Sequence, residues 1–139
     1  MKELDNRIDA WAEKVGIHES STAMKQALYT LSETQELLVA VNVCDESEDR
    51  LSFISSVVLQ NPDKEHIRDE YRAENQVLHE KIHEVADAIG DIYVTLKNVA
   101  HFYGLDMEEC VSGAVKIIED RANRGGGMVS GVYVKPEEE

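Results

Sequence analysis

Apolar positions recur at helical spacing along most of this chain. Leu4, Ile8, Trp11 and Val15 share one face and precede Gly16, so the spacing predicts a helix over about 4–15 that buries these four residues and closes on a C-cap glycine. Met24, Ala27, Leu28, Leu31, Leu38 and Val41 predict a second helix, starting near the good N-cap residues Ser20 or Ser21 and running to about Asn42. The clearest period is Ile82, Val85, Ile89, Ile92, Leu96, Val99 and Tyr103, in a helix that begins at Glu65 or later and stops at Gly104. Asp106 then caps a last helix through about Arg124, which buries Val111, Ala114, Val115 and Ile118 before Gly125-Gly126-Gly127 ends it. The stretch 45–76 is polar and irregular, with room for one short helix over Leu51 to Leu59 before Pro62. The only prolines are Pro62 and Pro136, and no internal repeat interrupts the pattern. The expectation is an all-α fold, an antiparallel bundle of four to five helices.

Length and charge narrow the function. At 139 residues the chain fits one domain, 1–139, in which 45–76 is an irregular insertion and 125–139 a tail. Twenty-eight acidic against fourteen basic residues give a formal charge of −14, which repels a phosphate backbone and disfavours duplex nucleic acid as partner. A nucleotide stays compatible where divalent ions neutralise the acids locally. Cys44 and Cys110 lie in apolar helical patterns without metal-type spacing and read as reduced core residues, which points to the cytoplasm. The start lacks an apolar signal segment, and no apolar run reaches the roughly 18 residues of a membrane span.

Two acidic clusters carry the candidate chemistry: Glu33 and Glu36, then Glu84, Asp87 and Asp91. Steps of three and four place each cluster on one helical face, and two such helices side by side make a pocket of oxygen ligands suited to magnesium. Read singly, each cluster is equally an ordinary solvated helix face. The first-choice ligands are Glu33, Glu36, Glu84 and Asp87; Asp91 reads as a further ligand, a water-positioning group or a surface acid.

Glu33-Thr-Gln-Glu36 followed by Glu84-Val-Ala-Asp87-Ala-Ile-Gly-Asp91 resembles the motif pair of the all-α nucleoside triphosphate pyrophosphatases, in particular the short phage-type members of the MazG-like branch. Trp11 with Gly16-Ile17, Tyr103-Gly-Leu-Asp106 and the ending from Lys116 to Lys135 extend the likeness over most of the chain. Ser32 and Tyr29 depart from it, standing where members often carry an acid and a lysine, and the gap between the motifs is longer than usual. The resemblance implies hydrolysis of a nucleoside or deoxynucleoside triphosphate to the monophosphate and pyrophosphate, with Mg2+ as cofactor, Mn2+ as substitute, and a homodimer or homotetramer as the assembly. Lys116 and Arg121 are then candidate phosphate contacts, although cations in a last helix also suit its dipole. Asn98 is a candidate polar contact to substrate on the acid-bearing side of its helix.

Two rivals come from other classes. Glu80-Lys-Ile-His83 has the spacing of a carboxylate-bridged di-iron bundle, but no second copy of it occurs. The charge also permits a non-catalytic acidic helical protein that binds a basic surface.

Overall fold

Helix boundaries fall where a side chain or a glycine satisfies the backbone. The computed structural model describes residues 1–137. α1 (Lys2–Lys14) ends before Gly16, whose φ of 79° only glycine adopts without strain, and a single-turn α2 (Ile17–Ser20) follows. Thr22 then caps α3 (Ala23–Gln60) by accepting the Lys25 amide at 3.1 Å. The short link 61–64, holding Pro62, leads to α4 (Glu65–Phe102). Asp106 caps α5 (Met107–Asn123) by accepting the Glu109 amide at 3.0 Å, the cap the sequence predicts. β1 (Gly127–Val129) and β2 (Val132–Val134) form a two-strand antiparallel hairpin. The fold is all-α, as expected, with this small hairpin as its one addition among the described residues. No helix of those residues is long and apolar enough to cross a membrane.

α3 and α4 form an antiparallel pair, each with 38 residues and so about 57 Å long at ~1.5 Å per residue. Their covered positions alternate in steps of four and three: Gln26, Thr30, Glu33, Leu37, Ala40, Cys44, Ser47 and Leu51 on α3, Glu74, Leu78, Lys81, Val85, Ala88, Ile92, Thr95 and Val99 on α4. This is a coiled-coil seam. Three interhelical hydrogen bonds fix its register: Asn98 Nδ2 donates to Gln26 Oε1 at 3.0 Å, Thr30 Oγ1 to Thr95 Oγ1 at 2.8 Å, and Ser47 Oγ to the Glu74 carboxylate. Ala40, Cys44, Ser47 and Ala88 keep the middle of the seam narrow.

Two expectations fail here. Residues 45–76 are not an irregular insertion, because 45–60 complete α3 and 65–76 begin α4. The period is masked where the seam itself is polar, at Ser47 and Glu74, amid surface acids. The large apolar stripes are also only partly buried, with Ile8 on α1 and Val85, Ile92 and Val99 on α4 covered. Leu28, Leu31 and Leu38 on α3 are 57%, 56% and 64% exposed, and Ile82, Ile89 and Leu96 on α4 with Tyr103 just past its end, Val111, Val115 and Ile118 on α5, and Leu4 and Trp11 on α1 with Val15 just past its end also lie open, as does Cys110, expected in the core. Each long helix carries two stripes, and a two-helix seam covers one. On α3 the covered stripe is the smaller and more polar one, and on α4 it takes Val85, Ile92 and Val99 alongside the polar Glu74, Lys81 and Thr95.

α1 docks on α4 through polar groups. The Tyr93 hydroxyl donates to Asp5 Oδ1 at 2.6 Å, and Lys97 Nζ donates to Asp9 Oδ1 at 2.6 Å, with Asp5 and Lys97 both buried. Burial first, then the bond to Asp5, pushes the Tyr93 pKa up to about 12. At the other end of the chain, Ser130 and Gly131 join β1 to β2 with φ of 50° and 78°, the paired positive angles of a tight hairpin turn.

The Glu74 carboxyl lies well below the usual glutamate range because Arg50, at 2.9 Å, and Ser47 both bond its charged form. A pKa depressed in the folded state contributes stability above the unfolded value, and that contribution disappears as pH falls through the folded value. Glu74→Gln is therefore expected to lower stability by about 1 kcal/mol near neutrality, the scale of one ordinary intramolecular hydrogen bond. The gap to wild type should close as pH falls from the ordinary glutamate value of 4.5 through the lower folded value, and urea denaturation at neutral and at acid pH measures it.

Candidate metal centre

The register of the α3–α4 pair decides which acids meet. With Thr30 bonded to Thr95, one turn further along α3 brings Glu33 level with Asp91 and Ile92, and the next step brings Glu36 level with Asp87 and Ala88. Glu33 is itself a seam position and half-buried, whereas Glu36, Glu84, Asp87 and Asp91 are exposed beside the seam. Partial burial first, then the charges of Glu36 and Asp91, raises the Glu33 carboxyl above the ordinary glutamate range. Three sequence-predicted acids from two helices therefore share one electrostatic site.

Glu84 stands apart. It lies about two turns from Asp91 toward the middle of the seam, level with Ala40, and both its oxygens accept from Lys81 Nζ at 2.8 Å. The acids do not converge into a tight cage either. Among the described residues, the group that brings three ligand atoms within 4.8 Å of one another is Asp9, His18 and His101. The acidic edge has the all-oxygen donor set magnesium prefers, in an open arrangement that leaves positions for water and phosphate.

A cavity of about 430 Å3 opens beside Glu33 and is lined also by Trp11, Lys25, Gln26, Tyr29, Thr95 and Asn98. Asn98 is not a solvated surface residue. It is buried, its amide nitrogen bonded to Gln26 and its Oδ1 without a hydrogen-bond partner. Trp11, expected in the core, is 47% exposed and turns toward this cavity. Lys25 is a cation on the wall of the same cavity as Glu33, and a lone lysine in the first turn of a helix carries no sequence pattern of its own.

Lys116 and Arg121 lie elsewhere. Lys116 lines an open groove with Lys2, Asp106, Glu108, Glu109, Ser112 and Gly113, and neither residue borders the cavity beside Glu33. Nearly all of α5 is exposed. Glu80 and His83 also face outward, beside the seam residue Lys81, with Glu80 accepting from Gln76 at 3.2 Å. A di-iron core would need them turned inward.

The chain matches no protein-family model, no curated protein and no solved structure.

Crowded carboxylates cost stability until a cation offsets their repulsion. Glu33→Gln should accordingly hold or raise the melting temperature in the presence of a chelator and shrink the rise that Mg2+ gives wild type. Thermal melts with and without Mg2+ test this; a variant that melts lower in chelator and responds to Mg2+ like wild type would separate Glu33 from any ion site.

Proposed function

We propose that the acidic edge of the α3–α4 pair binds Mg2+, with Mn2+ as substitute, and hydrolyses a nucleoside or deoxynucleoside triphosphate to the monophosphate and pyrophosphate. One arrangement carries this: the register that bonds Thr30 to Thr95 sets half-buried Glu33 level with Asp91 across the seam and Glu36 level with Asp87. The resemblance of the two acidic motifs to the MazG-like pyrophosphatases supplies the reaction. A bound Mg2+ would contribute Lewis acidity, charge neutralisation and a water of lowered pKa.

The chain's own residues supply the rest. Glu33, Glu36 and Asp87, with Asp91 beside them, offer the oxygens, and Glu84 joins them once it leaves Lys81. Trp11 and Tyr29 offer exposed rings at the cavity, against which a base can stack. The unpartnered Asn98 Oδ1 accepts a polar hydrogen from the nucleoside end, and Lys25 offsets phosphate charge. The free thiols of Cys44 and Cys110 suit a reducing compartment such as the cytoplasm.

Assembly belongs to this reading. The open stripes of α3 and α4 run beside the acids, and a second copy laid along them makes a four-helix arrangement as a homodimer, or as half of a homotetramer. Lys116 and Arg121, remote from the cavity in one chain, can reach phosphate only if assembly brings another copy's α5 to it.

Purified protein with Mg2+ is expected to release pyrophosphate from at least one of the eight standard ribo- and deoxyribonucleoside triphosphates, resolved by chromatography of the products. Diphosphate plus orthophosphate, or no turnover of any of them, contradicts the proposal. Glu36→Gln and Asp87→Asn should lower kcat by about 100-fold or more while the helical signal stays intact, a loss on the scale of a removed electrostatic catalytic group. Trp11→Ala should act mainly on KM. Light scattering should give a mass above the 15.6 kDa of one chain. A variant ending at Gly125 reports whether the hairpin contributes: an unchanged assembly mass denies it that role.

A further inference from the structure

One face of α4 holds a ladder of polar partners at every fourth residue. Tyr93 bonds Asp5, Lys97 bonds Asp9, and the next rung, His101, meets His18 of α2. The first two rungs are closed by short hydrogen bonds. The third is not: the two imidazoles stack face to face, centroids 3.4 Å apart and planes within 4°, with no hydrogen bond between them. His18 Nε2 is buried and has no hydrogen-bond partner among the described residues. A buried polar atom left unpaired costs stability unless something outside the chain takes it. Asp9 completes the group, its Oδ1 4.0 Å from His101 Nδ1, and one ligand atom from each of the three residues lies within 4.8 Å of the others.

We propose that Asp9, His18 and His101 form a transition-metal site, of the Zn2+ class, distinct from the acidic magnesium edge. Two imidazoles and a carboxylate are the donor set of borderline first-row ions, whereas oxygen-only sets suit magnesium. Donors about 2.1 Å from a shared ion stand roughly 3.4 Å apart at tetrahedral angles, so ligation needs the atoms, now within 4.8 Å, to close and the two parallel imidazoles to turn out of their stack until both ring lone pairs meet the ion. Lys97, bonded to Asp9 at 2.6 Å, orients the carboxylate and leaves its remaining lone pairs for the ion. The triad opens on a cleft of about 510 Å3 whose wall includes Glu13 and Glu19, so an ion has a negatively charged approach and room for water in its fourth position. Because its ligands come from α1, α2 and α4, the ion would clip the N-terminal helices onto the long pair.

The test is calorimetric titration of the full-length, chelator-treated protein with Zn2+ while millimolar Mg2+ occupies the oxygen-only sites, paired with thermal melts. Wild type is expected to bind one Zn2+ per chain and to melt higher with it. His18→Ala and His101→Ala should each weaken that binding by at least about ten-fold, the loss that removing even an outer partner of a metal site brings. His101→Gln, which keeps a polar group at a partly exposed position, supplies a folded comparison if alanine unsettles the helix. His79→Ala should change nothing, although His79 and His83 are also neighbours, 4.9 Å between ring centroids. No Zn2+ binding and no shift in melting, unchanged affinity in the His18 and His101 variants, or loss in His79→Ala would overturn the proposal. Mg2+-dependent turnover measured on the same variants reports on the acidic edge separately.

Discussion

The register of the α3–α4 seam is the constraint on which the other features depend. An antiparallel pair 38 residues long in each arm can slide by a heptad at little cost if its seam is uniformly apolar. This seam is not uniform. The Gln26–Asn98 bond, the Thr30–Thr95 bond and the Ser47–Glu74 bond are each lost on a shift, and each would leave buried polar groups unpaired. The same register sets Glu33 against Asp91 and Glu36 beside Asp87. Specificity of pairing and assembly of the acidic site are one physical event.

Polar bonding also attaches the N-terminal helices. α1 contributes few apolar contacts, only Ile8 and Ala12 being buried hydrophobics on it, and Asp5 and Asp9 meet Tyr93 and Lys97 along one face of α4. Such pairs fix orientation more than they add stability, since desolvation offsets much of their attraction. α1 and α2 are thereby aligned so that Trp11 walls the cavity beside Glu33 on one side and His18 reaches His101 on the other. The abundant apolar surface, by contrast, is directed outward, on stripes far more extensive than a soluble monomer usually shows.

Much of the architecture was legible in the sequence. Glycine and aspartate punctuation at Gly16, Gly104 and Asp106 marked real ends, and the all-α class followed from the apolar periods. What the periods could not reveal is which of two stripes faces the partner helix. Leu28, Leu31 and Leu38 make the stronger hydrophobic signal, yet the seam runs through Gln26, Thr30 and Glu33, because hydrogen bonds and small residues decide the pairing. The helical nature of 45–76 was hidden for the same reason, its seam being built on Ser47 and Glu74. The hairpin at Ser130-Gly131 had a turn signal between β-branched residues that was too short to outweigh a glycine-rich tail. Of the candidate site, the grouping of Glu33, Glu36 and Asp91 was foreseeable from spacing on two helices. The engagement of Glu84 by Lys81, the burial of Asn98, and the meeting of Asp9, His18 and His101 depend on tertiary register and have no local signature.

The central claim is that one edge of the seam holds a divalent ion near its polar end. Paramagnetic broadening by substoichiometric Mn2+ in amide spectra of the isotopically labelled protein tests it without reference to turnover. The account predicts that resonances around Glu33, Glu36, Asp87 and Asp91 vanish first and that competing Mg2+ restores them. Broadening spread evenly over the surface acids, or centred on another part of the chain, would contradict it.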